Sequence, residues 1–268
     1  MTAWHHDGLT FRYREAGSGE PFVFQHGLGG DAHQPMGLLP PPPGYRVIAL
    51  DCRAHGLTRP LGLEEKIGIG SFTDDVLSLM DHLEIERAVV GGISMGAAIA
   101  LNLALRRPER VRGLVLVRPA WLAGPMERNA DIFAHVARLI REHGPARGQE
   151  LFLRSDDYLD MRQESSDCAA ALLGQFQHPR AVECVCRLER IPRDAPCRDL
   201  AELASIAVPT LVLANRQDPI HPYEYGSVLA DRIPRAQFAE LTPKSVSVER
   251  YEHDVQRHVS EFLAGLQS

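Results

Sequence analysis

Short apolar runs rich in β-branched residues recur along the chain. Between them lie stretches whose apolar positions return every three or four residues, a pattern that predicts strands alternating with helices. The runs predict strands at Leu9 to Arg14, Pro21 to Gln25, Arg46 to Asp51, Ala88 to Ile93, Gly113 to Val117, Pro209 to Ala214 and Gln237 to Leu241. Between Pro119 and Ile206 the strand rhythm stops. Helical segments such as Ile132 to His143 and Cys168 to Gln177 replace it before strand patterning resumes at Val208. A parallel sheet wrapped by helices requires such alternation, so the fold class is α/β, and the interruption reads as a helical cap inserted after one strand. The expected divisions are residues 1–118 and 208–268 as two parts of one core, with 119–207 as the cap. Near the end, Val248, Tyr251, Val255, Val259, Phe262 and Leu263 mark the apolar face of a closing helix.

A chain of 268 residues is long enough to bury a full core in one large domain. Its net charge of −6 is mild, and no basic cluster exceeds the Arg106-Arg107 pair, so neither nucleic acid nor an anionic membrane surface is indicated. The expected partner is a small-molecule substrate, and a homodimer is left open. The span from Ala88 to Leu105 carries no charge, but Gly91, Gly92, Ser94, Gly96 and Asn102 divide it into strand, turn and helix, which excludes a membrane span there. The first residues lack the apolar stretch of a secretory signal, and five cysteines show no zinc-like pairing with histidine; a cytoplasmic protein with reduced thiols is the expectation.

The chemistry-bearing stretch is Gly92-Ile-Ser94-Met-Gly96, set directly between a strand and a small-residue helix. A serine on so tight a turn is raised at the carboxyl edge of the sheet, while the flanking glycines let strand and helix approach each other. The helix that starts at Met95 aims its positive end and free N–H groups at the same point, where an oxyanion forms if the serine attacks a carbonyl. The rival is a serine that merely caps the helix. A second glycine-rich turn, Gln25-His-Gly-Leu28-Gly-Gly30, also follows a strand directly and can direct the Leu28 N–H at that oxyanion.

Together with Asp51-Cys-Arg-Ala-His55-Gly56 and Asn215-Arg-Gln-Asp218-Pro-Ile, these motifs resemble the α/β-hydrolase superfamily in order and spacing across nearly the whole chain. The resemblance implies an eight-stranded, mostly parallel sheet and a variable cap over the active site. It also implies Ser94 as nucleophile, Asp218 as triad acid, and the Leu28 and Met95 N–H groups as oxyanion hole. His26 and His55 match turn histidines that hold loops together in that family.

The family's triad histidine lies in the loop after the last strand, which here reads Leu241-Thr-Pro-Lys-Ser-Val-Ser-Val with no histidine. His253 and His258 come later, inside the closing helix. Helical phasing turns His253 outward with Glu249, Gln256 and Ser260 and sets His258 near the edge of the buried stripe. His221, three residues after Asp218, is therefore the first choice for the base. His253 is the second, because it keeps the chain order serine, acid, histidine.

Arg118 and Trp121 follow a strand at the ligand-binding edge of the sheet. Trp121 is expected to line the pocket. Arg118 suits either an acidic substrate group or a salt bridge. No phosphate-binding glycine fingerprint and no metal-ligand spacing is present, so no cofactor and no metal is expected. The reading is a serine hydrolase acting on an ester, thioester or lactone through an acyl-enzyme. The alternative is a hydrolase-like protein that binds a small ligand, or a non-hydrolytic enzyme with a degenerate triad.

Overall fold

The computed structural model describes residues 1–126 and 129–267. Eight strands form one sheet: β1 (Thr2–His6), β2 (Leu9–Gly17), β3 (Glu20–Gln25), β4 (Tyr45–Leu50), β5 (Ala88–Ile93), β6 (Val111–Val117), β7 (Thr210–Ala214) and β8 (Ala236–Glu240). Their order is β1-β2-β4-β3-β5-β6-β7-β8, and every neighbouring pair is parallel except those made by β2. Burial follows from this order. The central strand β5, Ala-Val-Val-Gly-Gly-Ile, is buried at every position, whereas β2 near the edge alternates between buried and half-buried residues from Leu9 to Arg14 and is exposed at Glu15 and Gly17.

The helices are α1 (His33–Leu38), α2 (Ile69–His82), α3 (Met95–Arg106), α4 (Ala130–Phe152), α5 (Asp156–Glu164), α6 (Ser166–Gln177), α7 (Cys186–Arg190), α8 (Tyr223–Arg232) and α9 (Val248–Gln267). One core includes Phe72 and Val76 of α2, Ile99 and Leu103 of α3 and Leu229 of α8, and it continues into the helices between β6 and β7. The other joins Leu38 of α1 to Tyr251, Val255, Val259, Phe262 and Leu263 of α9. The closing helix thus buries the stripe that its sequence spacing marks out from Tyr251 onward, whereas Val248, at its first residue, is exposed because it lies at the helix end beyond the sheet contact.

Seven of the eight strands lie where the apolar runs predict them, with ends shifted by up to three residues. The first, β1, has only Trp4 as a buried anchor and no apolar run to announce it. It forms because it pairs with β2, and Trp4 stacks on His6 and His82 and packs against Phe11. The helical pattern from Ile132 to His143 extends to Phe152 across a break at Gly144, whose φ of 75° precedes Pro145. Among the described residues no helix is long and apolar enough to cross a membrane.

Candidate active site

Ser94 sits between the last residue of β5 and the first of α3, at φ 55° and ψ −111°. A side-chain-bearing residue held there stores about 1–3 kcal/mol of strain. Its N–H donates to the Val117 carbonyl at 2.9 Å and its carbonyl accepts from the Ala98 N–H, so the turn is fastened to the neighbouring strand and to the helix. The hydroxyl does not cap α3. The glycines are required by close approach: a Cβ on Gly92 would lie 2.4 Å from the Gly96 carbonyl carbon, and one on Gly96 would lie 2.2 Å from the Gln25 oxygen.

The turn after β3 lies against this serine, since a Cβ on Gly27 would meet the Ser94 Cβ at 3.4 Å. Gln34 accepts from the Gly27 N–H at 2.8 Å, and Gly30 donates to the Gly27 carbonyl. Nδ1 of His26 lies 2.9 Å from the Gly27 oxygen, while its Nε2 accepts from the Cys52 N–H, joining this turn to the loop after β4. Burial holds the His26 imidazole below its ordinary value and the His55 imidazole well below it, so both are neutral packing groups. Leu28 stands half-buried in this turn, and Met95 opens α3.

Asp218 follows β7 at the same sheet edge. Its Oδ1 accepts from the His221 N–H at 3.1 Å and lies 2.8 Å from His221 Nδ1, while its Oδ2 accepts from Arg118 Nε at 2.6 Å. Burial alone would raise this carboxyl, but His221 and Arg118 hold it well below the usual carboxylate range. Burial lowers the His221 imidazole; Asp218 opposes that shift and Arg118 adds to it. With Nδ1 on the carboxylate, Nε2 is the nitrogen left to accept a proton.

Arg118, itself at φ 49°, is 8% exposed. Besides Asp218 it donates Nη2 to Asp167 at 2.8 Å, and its guanidinium lies 5.6 Å from the centre of the Tyr251 ring. Both carboxylates are supplied by the protein. Of the two roles open to Arg118 in the sequence, the structure displays the salt bridge. Trp121 is buried, and its Nε1 has no acceptor among the described residues. His253 lies exposed on α9, away from the buried stripe. In the loop after β8 Lys244 faces Asp167 at 3.6 Å and the Tyr251 ring at 5.4 Å. It helps line a cavity of about 250 Å³ together with Ile93, Arg118, Gln34 and Tyr251.

Three residues on or beside Asp218 were not found from sequence: Cys168, which touches it, Asp167, which shares its Arg118 partner, and Asn129, which holds the next residue. Ser165 accepts from the Cys168 N–H and caps α6, which sets Asp167 and Cys168 in its first turn. Asp167 then meets Arg118, and the Cys168 thiol, pushed up to about 12 by burial and by Asp218, donates to Asp218 Oδ1 at 3.1 Å. Asn129 donates to the Pro219 carbonyl at 2.9 Å. The only local signal was the serine cap; the contacts join residues far apart in the chain. Among the described residues no group of three or more histidine, cysteine or acidic side chains could hold a metal ion.

Residues 20–136 match the family model described as alpha/beta hydrolase fold. The proposed carbamate hydrolase RutD of Stutzerimonas stutzeri (strain A1501) is 34% identical over 226 residues, covering 82% of this chain and 82% of its own. The 2-hydroxymuconate semialdehyde hydrolase of Pseudomonas sp. (strain CF600) is 32% identical over 246 residues, covering 86% of this chain and 81% of its own. Among solved structures, the enol-lactonase from Burkholderia xenovorans LB400 superposes with a TM-score of 0.75 at 25% identity, covering 98% of this chain and 100% of that one.

Proposed function

This chain belongs to the alpha/beta hydrolase family, and from that premise we propose that it is a serine hydrolase opening an ester, thioester or lactone through an acyl-enzyme on Ser94. The observation that carries the reading is the strained Ser94 backbone, which a helix-capping or packing serine does not need. Ser94 Oγ attacks the substrate carbonyl and gives its proton to His221 Nε2. Asp218, on Nδ1, orients the ring and stabilises the imidazolium that forms. The Leu28 and Met95 N–H groups receive the negative oxygen. Collapse of the tetrahedral intermediate breaks the bond to the leaving group, which takes the proton from His221. Water, deprotonated by the same imidazole, then releases the acid and restores Ser94.

The carbamate, semialdehyde and enol-lactone in the names of the relatives share a carbonyl group, the electrophile this route requires. The second reading, ligand binding or proton transfer without an acyl-enzyme, is favoured by two observations: the triad acid is already ion-paired to Arg118, and Lys244 occupies the loop where the family carries its histidine. Covalent labelling with a fluorophosphonate and peptide mapping separates the two. The serine-hydrolase reading expects one label per chain at Ser94, lost in Ser94→Ala. An unlabelled wild-type protein would remove that reading in favour of the second.

A further inference from the structure

Arg187, in the first turn of α7, is 1% exposed. Its surroundings differ from those of the other deeply buried arginines. Arg53 is bonded to Asp75 and Asp7, Arg118 to Asp218 and Asp167, and Arg180 to Glu183. Arg187 meets no carboxylate among the described residues. Among the described residues its side chain makes one hydrogen bond, from Nη1 to the neutral Oε1 of Gln175 at 2.7 Å, and its Nε has no acceptor. Its titratable neighbours Cys184 and Cys186 cannot balance it, because burial raises both thiols and keeps them uncharged. Burial pulls the guanidinium itself down to about 10. A buried cation with no counter-charge is costly, and such a group in a fold points to a ligand that supplies the missing charge.

The position of Arg187 identifies that ligand's place. Gln175 packs its amide on the turn after β3, where a Cβ on Gly29 would lie 2.5–3.0 Å from the amide atoms. The same turn meets Ser94 through Gly27. Arg187 is therefore one amide removed from the proposed oxyanion turn, and its charge is among those that lower His26, His55 and His178. Because Nη1 is held by Gln175, the Nε edge remains for a two-oxygen acceptor, the fork geometry in which arginine binds a carboxylate.

We propose that Arg187 is the subsite for a carboxylate on the acyl substrate, so that this chain takes anionic esters or lactones in preference to neutral ones. The substrate preference rests on the hydrolase reading above; the carboxylate site does not. Isothermal titration with glutarate and with dimethyl glutarate tests the site without turnover, using the full chain and its Arg187→Met and Arg187→Lys variants. The wild type should bind glutarate about tenfold or more tighter than Arg187→Met, with no such gap for the diester. Arg187→Met should also unfold at a higher temperature than the wild type, because it removes an uncompensated charge, whereas an arginine with a merely structural role would lower that temperature when lost.

With mono-p-nitrophenyl glutarate and p-nitrophenyl butyrate as substrates, the ratio of the two kcat/KM values should fall about tenfold in Arg187→Met, through the KM of the half-ester. Should Arg187→Met fail to fold, Arg187→Lys carries the test: it keeps the charge without the fork and should still lose several-fold in glutarate affinity. Equal glutarate binding by wild type and a folded variant, or no glutarate binding by the wild type, overturns the proposal. Arginine-dependent glutarate binding without ester turnover keeps the carboxylate site and sinks the acyl-enzyme reading instead.

Discussion

Arg118 and Asp218, 100 residues apart in the chain, form a buried ion pair with Nε 2.6 Å from Oδ2, on the carboxylate oxygen opposite the one that faces His221. Asp218 therefore has a permanent cationic partner besides the His221 imidazole. Replacing Arg118 by methionine leaves the buried Asp218 short of a counter-charge and Asp167 with only Lys244 at 3.6 Å, and the expected loss of stability is about 3–5 kcal/mol, read by denaturant unfolding. Arg118 is also one of the groups that lower His221. Its removal should raise the imidazole and shift the acid limb of the kcat/KM profile to higher pH. A profile that stays in place would show that this charge does not act on the base.

The strain at Ser94 gives a stability prediction separate from its chemistry. At φ 55° and ψ −111° a glycine is relaxed and an alanine is not. Both Ser94→Gly and Ser94→Ala should abolish labelling and ester turnover. Only the glycine variant should gain stability, by about 1 kcal/mol or more over the alanine variant in chemical unfolding. Equal stability of the two would mean that the turn stores no strain at this residue.

For the base, His221→Ala and His253→Ala should separate cleanly. His221 touches Asp218 and is 11% exposed, whereas His253 is exposed on α9. Loss of His221 should slow fluorophosphonate labelling by about 100-fold or more, the usual contribution of a general base, while loss of His253 should leave the rate unchanged. The reverse pattern would give the role to the residue on the closing helix.

Stability should fall as pH drops below about 6.5, and the sign follows from the buried histidines. Burial lowers His26, His55 and His178, the last to about 4, so in this window the unfolded chain binds protons that the folded chain does not. Each such proton favours unfolding by about 1.4 kcal/mol per pH unit. Unfolding midpoints measured from neutral pH down to the range of His178 should decline steadily. A flat profile would mean that these imidazoles titrate in the fold as they do in water.

The elements around Ser94 could be read from sequence because their causes are local. The apolar run of β5, the spacing of Gly92, Ser94 and Gly96, and the stripe from Tyr251 to Leu263 act within a few residues, and the backbone answers them directly. Even the absence of a histidine from the loop after β8 was visible, since it is a matter of composition.

Other features had no local cause. β1 depends on pairing with β2 and on Trp4 meeting His82, which no short pattern announces. Arg118 read equally well as a substrate contact or a salt bridge, because its partners come 49 and 100 residues later, from α6 and from the turn after β7. Cys168 read only as one of five reduced thiols, and it is the cap on α6 that turns it toward Asp218. Arg187 showed no signal at all, because a missing counter-charge is a property of the space around a side chain. Hydrophobic periodicity and turn chemistry determined seven of the eight strands, the elbow and the closing helix, whereas packing the β6–β7 insertion against the sheet edge decided which charges are neutralised and which is left for a ligand.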